Sequence, residues 1–240
     1  MRYRLILSYD GTTFYGFQRQ TKLPSVQGKI EEALQLIFKQ EIKIKGAGRT
    51  DALVHAINQN AHFDTDIYIP PLSLKKVLNK RLSPYIYIKD VIITDETFHA
   101  RINAKKKEYR YIVSLNEYDP LKANYCYFYP YKLDINKIKE AMSYILGTHD
   151  FTSFSKKSEK NMIRTIESFE LIEKDNTLTF SIIGDGFLHN MVRIIIAVML
   201  RVGNGKLNPQ DVEYILNQKD RKLSPYTAPA QGLYLYNIWY

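Results

Sequence analysis

Tyr3 to Tyr9 alternate apolar and polar side chains, the period of two that a half-buried strand requires, and Asp10-Gly11 turns the chain at the end. Ser25 then precedes Val26, Ile30, Ala33, Leu34, Ile37 and Phe38, which recur at helical spacing, so an N-capped helix with one apolar face is expected. Residues 41–45 predict a short strand and residues 59–65 another. Leu74, Val77, Leu78 and Leu82 form a second helical stripe, which stops before Pro84 because a proline disfavours helical backbone in the residue ahead of it. A strand over 85–93 follows.

From residue 105 the plan repeats. Tyr109-Arg-Tyr-Ile-Val113 resembles Tyr3-Arg-Leu-Ile-Leu7 in pattern, and Asp134 can cap a helix carrying Ile138, Ala141, Met142, Ile145 and Leu146, closed by Gly147. Residues 163–173 and 178–183 flank Lys174-Asp-Asn176 as the arms of a hairpin. Residues 189–202 predict a buried helix, Asn208-Pro209 a helix start, and 232–239 a last strand. Strands and hairpins mixed with helices, laid out twice, predict an α+β fold of two similar halves, 1–104 and 105–240, forming a continuous and mostly antiparallel central sheet flanked by helices.

Composition narrows the setting. A chain of 240 residues can bury a sizeable core without disulfides, and Cys126 is the only cysteine, which excludes an internal disulfide framework and fits a reducing, cytoplasmic compartment. Met1-Arg-Tyr-Arg leads straight into strand-like sequence, so no export leader is expected. The most apolar run, residues 191–202, contains Arg193 and Arg201 and falls short of the roughly 20 residues a membrane-spanning helix needs. A net charge of +9 and a pI near 9.3, with the excess spread along the chain, point to a polyanionic partner met by a broad surface. The 19 tyrosines add stacking faces, although most tyrosines in a sheet protein are core or cross-strand residues.

Candidate chemistry concentrates in Gly46-Ala-Gly-Arg49-Thr-Asp51-Ala-Leu-Val-His55. Two glycines allow a sharp turn, and an arginine, a carboxylate and a histidine follow closely. Asp51 is either an ordinary turn residue bonded to its own backbone or a nucleophile or general base held ionised by Arg49. Arg193 interrupts the apolar helix, with Ala197 and Arg201 on the same face. A buried guanidinium there requires an anion, Asp51 or a phosphate, unless the face is exposed. Tyr109, between four charged residues and Arg110, suits base stacking beside a phosphate backbone.

These residues carry a resemblance. Tyr9-Asp-Gly11, Tyr15-Gly16, Gln18-Arg-Gln20, Gly48-Arg-Thr-Asp-Ala52 and Val54-His-Ala56 are similar to motifs of the tRNA pseudouridine synthase A family. Phe98-His-Ala-Arg101, Glu108-Tyr-Arg-Tyr111, Gly147-Thr-His-Asp-Phe151, Asp185-Gly-Phe187, His189-Asn-Met-Val-Arg193, Thr227-Ala-Pro-Ala230 and Gly232-Leu-Tyr-Leu235 follow in the family's order, so the resemblance covers nearly the whole chain. It implies the pseudouridine synthase fold and isomerisation of uridine to pseudouridine in the anticodon stem-loop of tRNA. By the same resemblance Asp51 is the catalytic carboxylate, Tyr109 stacks on the target uracil, Arg193 is the basic residue that pairs with the aspartate, and Arg49 helps to extrude the base. It implies no metal, no organic cofactor and a homodimer bridged by tRNA; the absence of a membrane partner is expected from the short, arginine-bearing apolar run. One position departs from the pattern. After Ala52 the family usually has glycine, whereas this chain has Leu53, a strained choice if the backbone there requires positive φ.

Two other function classes fit the residues alone. The charge and the tyrosines would suffice for a non-catalytic RNA-binding module. Asp51, His55 and His62 would be the donors of a metal-dependent hydrolase, but they lack a familiar ligand spacing and a second carboxylate nearby.

Overall fold

A computed structural model describes all residues, Met1–Tyr240, as ten strands and five α-helices. In chain order they are β1 (Arg2–Tyr9), α1 (Val26–Phe38), β2 (Lys45–Gly46), β3 (His55–Asp64), α2 (Pro71–Leu82), β4 (Ile86–Thr94), β5 (Lys106–Ser114), β6 (Tyr127–Phe128), α3 (Ile135–Ser143) and β7 (Gly147–Asp150). β8 (Ile163–Lys174), β9 (Thr177–Gly184), α4 (Met191–Gly203), α5 (Asp211–Gln218) and β10 (Leu233–Trp239) complete the chain. β10 runs parallel to β3 and β6 parallel to β5, whereas β1 with β3 and β4, β2 with β3, β5 with β9, and β8 with β7 and β9 pair antiparallel, in keeping with the α+β pattern. The chain divides into two compact units, Met1–Lys105 with Tyr234–Tyr240, and Lys106–Leu233.

In the first unit the strand order is β4-β1-β3-β10, with β2 on β3. Alternation buries Tyr3, Leu5, Leu7 and Tyr9 of β1, α1 buries Ile30, Leu34 and Phe38, and the Tyr3 and Phe38 rings meet at 6.4 Å between centroids. Tyr3 stacks on Phe63 at 5.3 Å between ring centroids, and Phe38 meets Phe63 edge-on at 5.8 Å. The Ser25 hydroxyl accepts the Gly28 amide at 3.2 Å, the expected cap. Of the α2 stripe, Leu74, Leu78 and Leu82 are buried and Val77 is exposed.

Residues 41–44 are not a strand, contrary to the pattern. The amide of Ile44 donates to the Glu31 carboxylate at 3.1 Å and its carbonyl accepts Gln27 Nε2 at 3.2 Å, so both backbone groups are satisfied by α1 side chains rather than by a ladder. β3 begins at His55, four residues ahead of expectation, because Tyr234 of β10 is its parallel partner there.

The second unit has the order β5-β9-β8-β7, with β6 on β5. Asp175 and Asn176 both take positive φ, 52° and 53°, in the two-residue turn that joins β8 to β9. Such a turn matches the twist of a hairpin, and Asp and Asn tolerate it. Asp134 Oδ1 accepts the Lys137 amide at 3.1 Å to start α3. α4 is buried from Ile194 to Leu200, while Arg193 and Arg201 are partly accessible. Asn208-Pro209 opens a turn rather than the helix itself: α5 starts at Asp211, whose carboxylate accepts the Asn208 amide at 2.7 Å.

His62 in β3 is a buried base without full hydrogen bonding. Its Nδ1 accepts the Ala100 amide at 3.1 Å, its Nε2 has no partner, and His99 stands 4.6 Å away between ring centroids. Burial, with the neighbouring His99 adding to it, lowers its pKa from 6.5 to about 4. A depressed folded-state pKa means that the contribution is fully present above pH 6.5 and is lost as the pH falls toward 4. Denaturant titration should therefore show about 2 kcal/mol of lost stability between neutral pH and about pH 4.5, and His62→Asn should remove that part of the slope.

Candidate active site

The stretch between β2 and β3 carries Arg49 and Asp51. Asp51 opens a β-turn closed by the Val54 amide donating to the Asp51 carbonyl at 3.3 Å, and the third residue of the turn, Leu53, takes φ 65°. The positive φ that a glycine would adopt freely is thus imposed on a leucine. Neighbouring backbone enforces it. The Leu53 amide donates to the Phe14 carbonyl at 3.4 Å, and the Phe17 amide to the Thr50 carbonyl at 3.1 Å. A Cβ on Gly11 would overlap the Val54 carbonyl and lie 2.9 Å from the Leu53 carbonyl carbon. Gly16, at φ 98°, passes so close that a Cβ would sit 2.7 Å from the Thr50 oxygen.

Side chains pin the same turn. Tyr9 Oη and Thr50 Oγ1 share a buried hydrogen bond of 2.8 Å, and burial raises the Tyr9 pKa, so the phenol stays neutral. Gln59 Nε2 donates to the Gly48 carbonyl at 3.0 Å. His55 is a structural pin as well: its Nδ1 accepts the Gly11 amide at 3.1 Å, lies 3.4 Å from Asp10 Oδ1, and its ring stacks on Tyr234 at 4.7 Å. Asp51 is partly accessible on this fixed frame. Arg49 is exposed, and its Nη1 donates to Gln18 Oε1 at 3.2 Å.

The segments that flank the loop are tied by a buried carboxylate absent from the sequence-based candidates. Glu31, 3% exposed on α1, accepts Arg19 Nη1 at 2.8 Å, Gln27 Nε2 at 2.8 Å and the Ile44 amide at 3.1 Å. Gln27 Oε1 accepts the Arg19 amide at 3.0 Å. The signal was present in the sequence, since Glu31 falls beside Ile30 and Leu34 on the helix face reserved for apolar residues, where a carboxylate survives only with partners.

Tyr109 and Arg193 belong to the second unit. β5 places Tyr109 opposite Ile182, with 8% of the residue exposed, and Phe187 meets its ring edge-on at 5.0 Å and 81°. Edge-to-face contact fixes the plane of the ring. Phe187 comes from Asp185-Gly-Phe187, and the Asp185 carboxylate accepts the Thr165 amide at 3.0 Å. The flanking charges of Tyr109 point to the other side of the strand, where Arg110 Nε donates to Glu108 Oε1 at 2.6 Å and Ser181 Oγ donates to the same oxygen at 3.0 Å. Glu108 and Arg110 therefore brace the sheet and pair with each other.

Arg193 is the third residue of α4. Its Nε donates to the Ala228 carbonyl at 2.7 Å, and the Ala228 amide donates back to the Arg193 carbonyl at 3.0 Å. The Ala228 segment is itself strapped: Tyr111 Oη donates to the Pro229 carbonyl at 2.7 Å, and Arg221 donates to the Ser224 carbonyl and, at 3.2 Å, to Thr227 Oγ1. Burial pushes the Tyr111 pKa up, with the positive charge of Arg193 opposing. Arg201, two turns along the same helix face, lies over the Tyr226 ring at 4.4 Å. No three His, Cys, Asp or Glu side chains gather where they could hold a metal ion.

A model of the tRNA pseudouridine synthase family matches residues 5–102 and 141–240. The tRNA pseudouridine synthase A of Geobacillus sp. (strain WCH70) is 46% identical over 243 residues, which cover 100% of this chain and 98% of that protein. The tRNA pseudouridine synthase A 1 of Bacillus cereus (strain ATCC 14579) is 44% identical with the same coverage. The tRNA pseudouridine synthase A of Exiguobacterium sp. (strain ATCC BAA-1283 / AT1b) is 42% identical over 241 residues, again 100% and 98% of the two chains.

Two glycines of positive φ separate backbone strain from crowding. Gly16→Ala adds the Thr50 clash to the strain, whereas Gly205, at φ 77°, has nothing within 4 Å of a Cβ. Denaturant midpoints should show Gly205→Ala losing about 1 kcal/mol and Gly16→Ala at least twice that.

Proposed function

The chain belongs to the tRNA pseudouridine synthase family, and on that premise we propose that it isomerises uridine to pseudouridine in the anticodon stem-loop of tRNA, with Asp51 as the catalytic carboxylate. The carrying observation is the Asp51 turn, in which a partly accessible carboxylate stands on backbone that its neighbours hold rigid.

The reaction breaks the bond between uracil N1 and ribose C1′, turns the base, and joins C5 to C1′. A proton leaves C5 and N1 gains one, so no atom or electron is exchanged with a cofactor. The target uridine must first leave its stack, which takes a few kcal/mol, and the enzyme has to replace that stacking. Tyr109, its plane fixed by Phe187, offers the replacement face. Asp51 acts as an ionised carboxylate in each of three routes: attack on C1′, attack on the uracil ring, or removal of a sugar proton to give a glycal. Arg193 supplies the positive charge of the site, and its bond to Ala228 sets the direction of the guanidinium. Arg49, exposed beside Gln18, assists extrusion of the base.

The surface charge supports the substrate. Phosphate contacts by lysine and arginine release counterions, in keeping with the net charge of +9. No helix is long and apolar enough to cross a membrane. The proposed setting is the cytoplasm, where tRNA is found, with two copies of the chain sharing one tRNA.

Asp51→Asn keeps the shape of the side chain and removes its charge. With an anticodon-arm transcript it should bind as the unsubstituted protein does and form no pseudouridine in single-turnover assays. Pseudouridine formation by Asp51→Asn at the unsubstituted rate would remove the carboxylate from its role. Binding without any turnover by the unsubstituted protein would instead support a non-catalytic RNA-binding module. Filter binding across a salt series should show affinity falling steeply and linearly on a log–log plot.

A further inference from the structure

Leu53 combines two unfavourable features. Its φ of 65° places an L residue with a branched side chain in the left-handed region, where its Cβ crowds the neighbouring backbone. It is also 43% exposed, so burial recovers little of that strain. Glycine would satisfy the backbone without strain and remove an apolar group from water. The backbone beneath leaves no relaxation, because Gly11 abuts the Leu53 and Val54 carbonyl groups and the Leu53 amide is bonded to Phe14. The turn thus holds an isobutyl group outward, two residues from Asp51.

We propose that Leu53 is a specificity-determining contact for the RNA: its side chain packs on the face of an unpaired nucleobase adjacent to the target uridine once that uridine has left the stack. This rests on the reading of Asp51 as the catalytic carboxylate of a tRNA pseudouridine synthase. The chemistry favours a base as the occupant. A nucleobase exposed by loss of its neighbour presents a flat, poorly hydrated face, and an aliphatic side chain beside the catalytic group is placed to cover it, as apolar wedges do at unstacked base steps. The contact exists only in the extruded state, so it acts on the turnover step more than on ground-state affinity. It also discriminates among uridines of one loop wherever the bases beside them differ.

The test compares Leu53→Gly, Leu53→Ala and Leu53→Met with the unsubstituted protein and with Asp51→Asn. Each is assayed for kcat and KM on an anticodon-arm transcript, for the distribution of pseudouridine among the loop uridines, for melting temperature, and for size by light scattering. Leu53→Gly and Leu53→Ala should each lower kcat about tenfold with KM changed less than about threefold, and should alter the distribution among uridines. Leu53→Met should restore kcat to within about twofold. Leu53→Gly should melt at or above the unsubstituted temperature, since it relieves strain.

Unsubstituted kcat and distribution in both truncated variants would overturn the proposal. A loss in Leu53→Gly alone, with Leu53→Ala fully active, would assign the effect to backbone geometry and overturn it too. Activity lost together with melting temperature, or a change of oligomer size, would show a structural or subunit contact instead. If Asp51→Asn is inactive while the Leu53 variants are normal, only this inference fails; if Asp51→Asn is active, the underlying reading fails.

Discussion

Close backbone approach, which Gly11 and Gly16 permit, is the constraint on which the first unit's site depends. Both glycines run against the carbonyls of residues 50–54, nearer than any Cβ allows, and hydrogen bonds from Phe17 and Leu53 hold the contact. The turn is then too confined to relax, and a leucine keeps a left-handed φ in it. Asp51 inherits that rigidity. In the role proposed for Asp51, a carboxylate that meets a sugar or a base at one angle benefits from a frame fixed before the substrate arrives. The same frame extends outward through His55, which takes the Gly11 amide, and through Glu31 and Gln27, which bind the segments on either side of the loop.

The second unit solves a related problem with different means. Tyr109 stands on a strand in the middle of a register shared with β9, and its ring is oriented by Phe187. Arg193 is set by a reciprocal pair of bonds with Ala228, whose segment is strapped by Tyr111 and Arg221. The first unit thus presents Asp51 on a short turn between strands, whereas the second carries Tyr109 on β5 and Arg193 in the first turn of α4, where regular structure itself supplies the stiffness.

Much of this was legible in the sequence, for physical reasons that differ by element. β1, α1 and the β8–β9 hairpin announced themselves through period, cap and turn chemistry, all of which are local. The Gly46–His55 stretch was recognisable as a sharp turn bearing charge, and residue spacing alone left Asp51 open between a turn role and a catalytic one. Residues 41–44 read as a strand because their alternation is real, yet the partners of Ile44 are side chains of α1, which no local pattern encodes. The start of β3 at His55 and the return of Tyr234–Tyr240 to the first unit were illegible for the same reason: both rest on parallel pairing between residues far apart in the chain. Tyr109 drew notice for its charged neighbours, whereas the structure shows the two adjacent ones, Glu108 and Arg110, paired with each other and Phe187 as its ring partner. The strain at Leu53 was visible only as a departure from a motif, since φ is not a property of residue type.

The most direct measurement of the central claim is a map of pseudouridines in cellular tRNA with and without the gene. The account predicts that the sites lost on deletion lie in the anticodon arm, that the unsubstituted gene restores them, and that the Asp51→Asn gene restores none. Loss confined to other arms of tRNA, or restoration by Asp51→Asn, would contradict it.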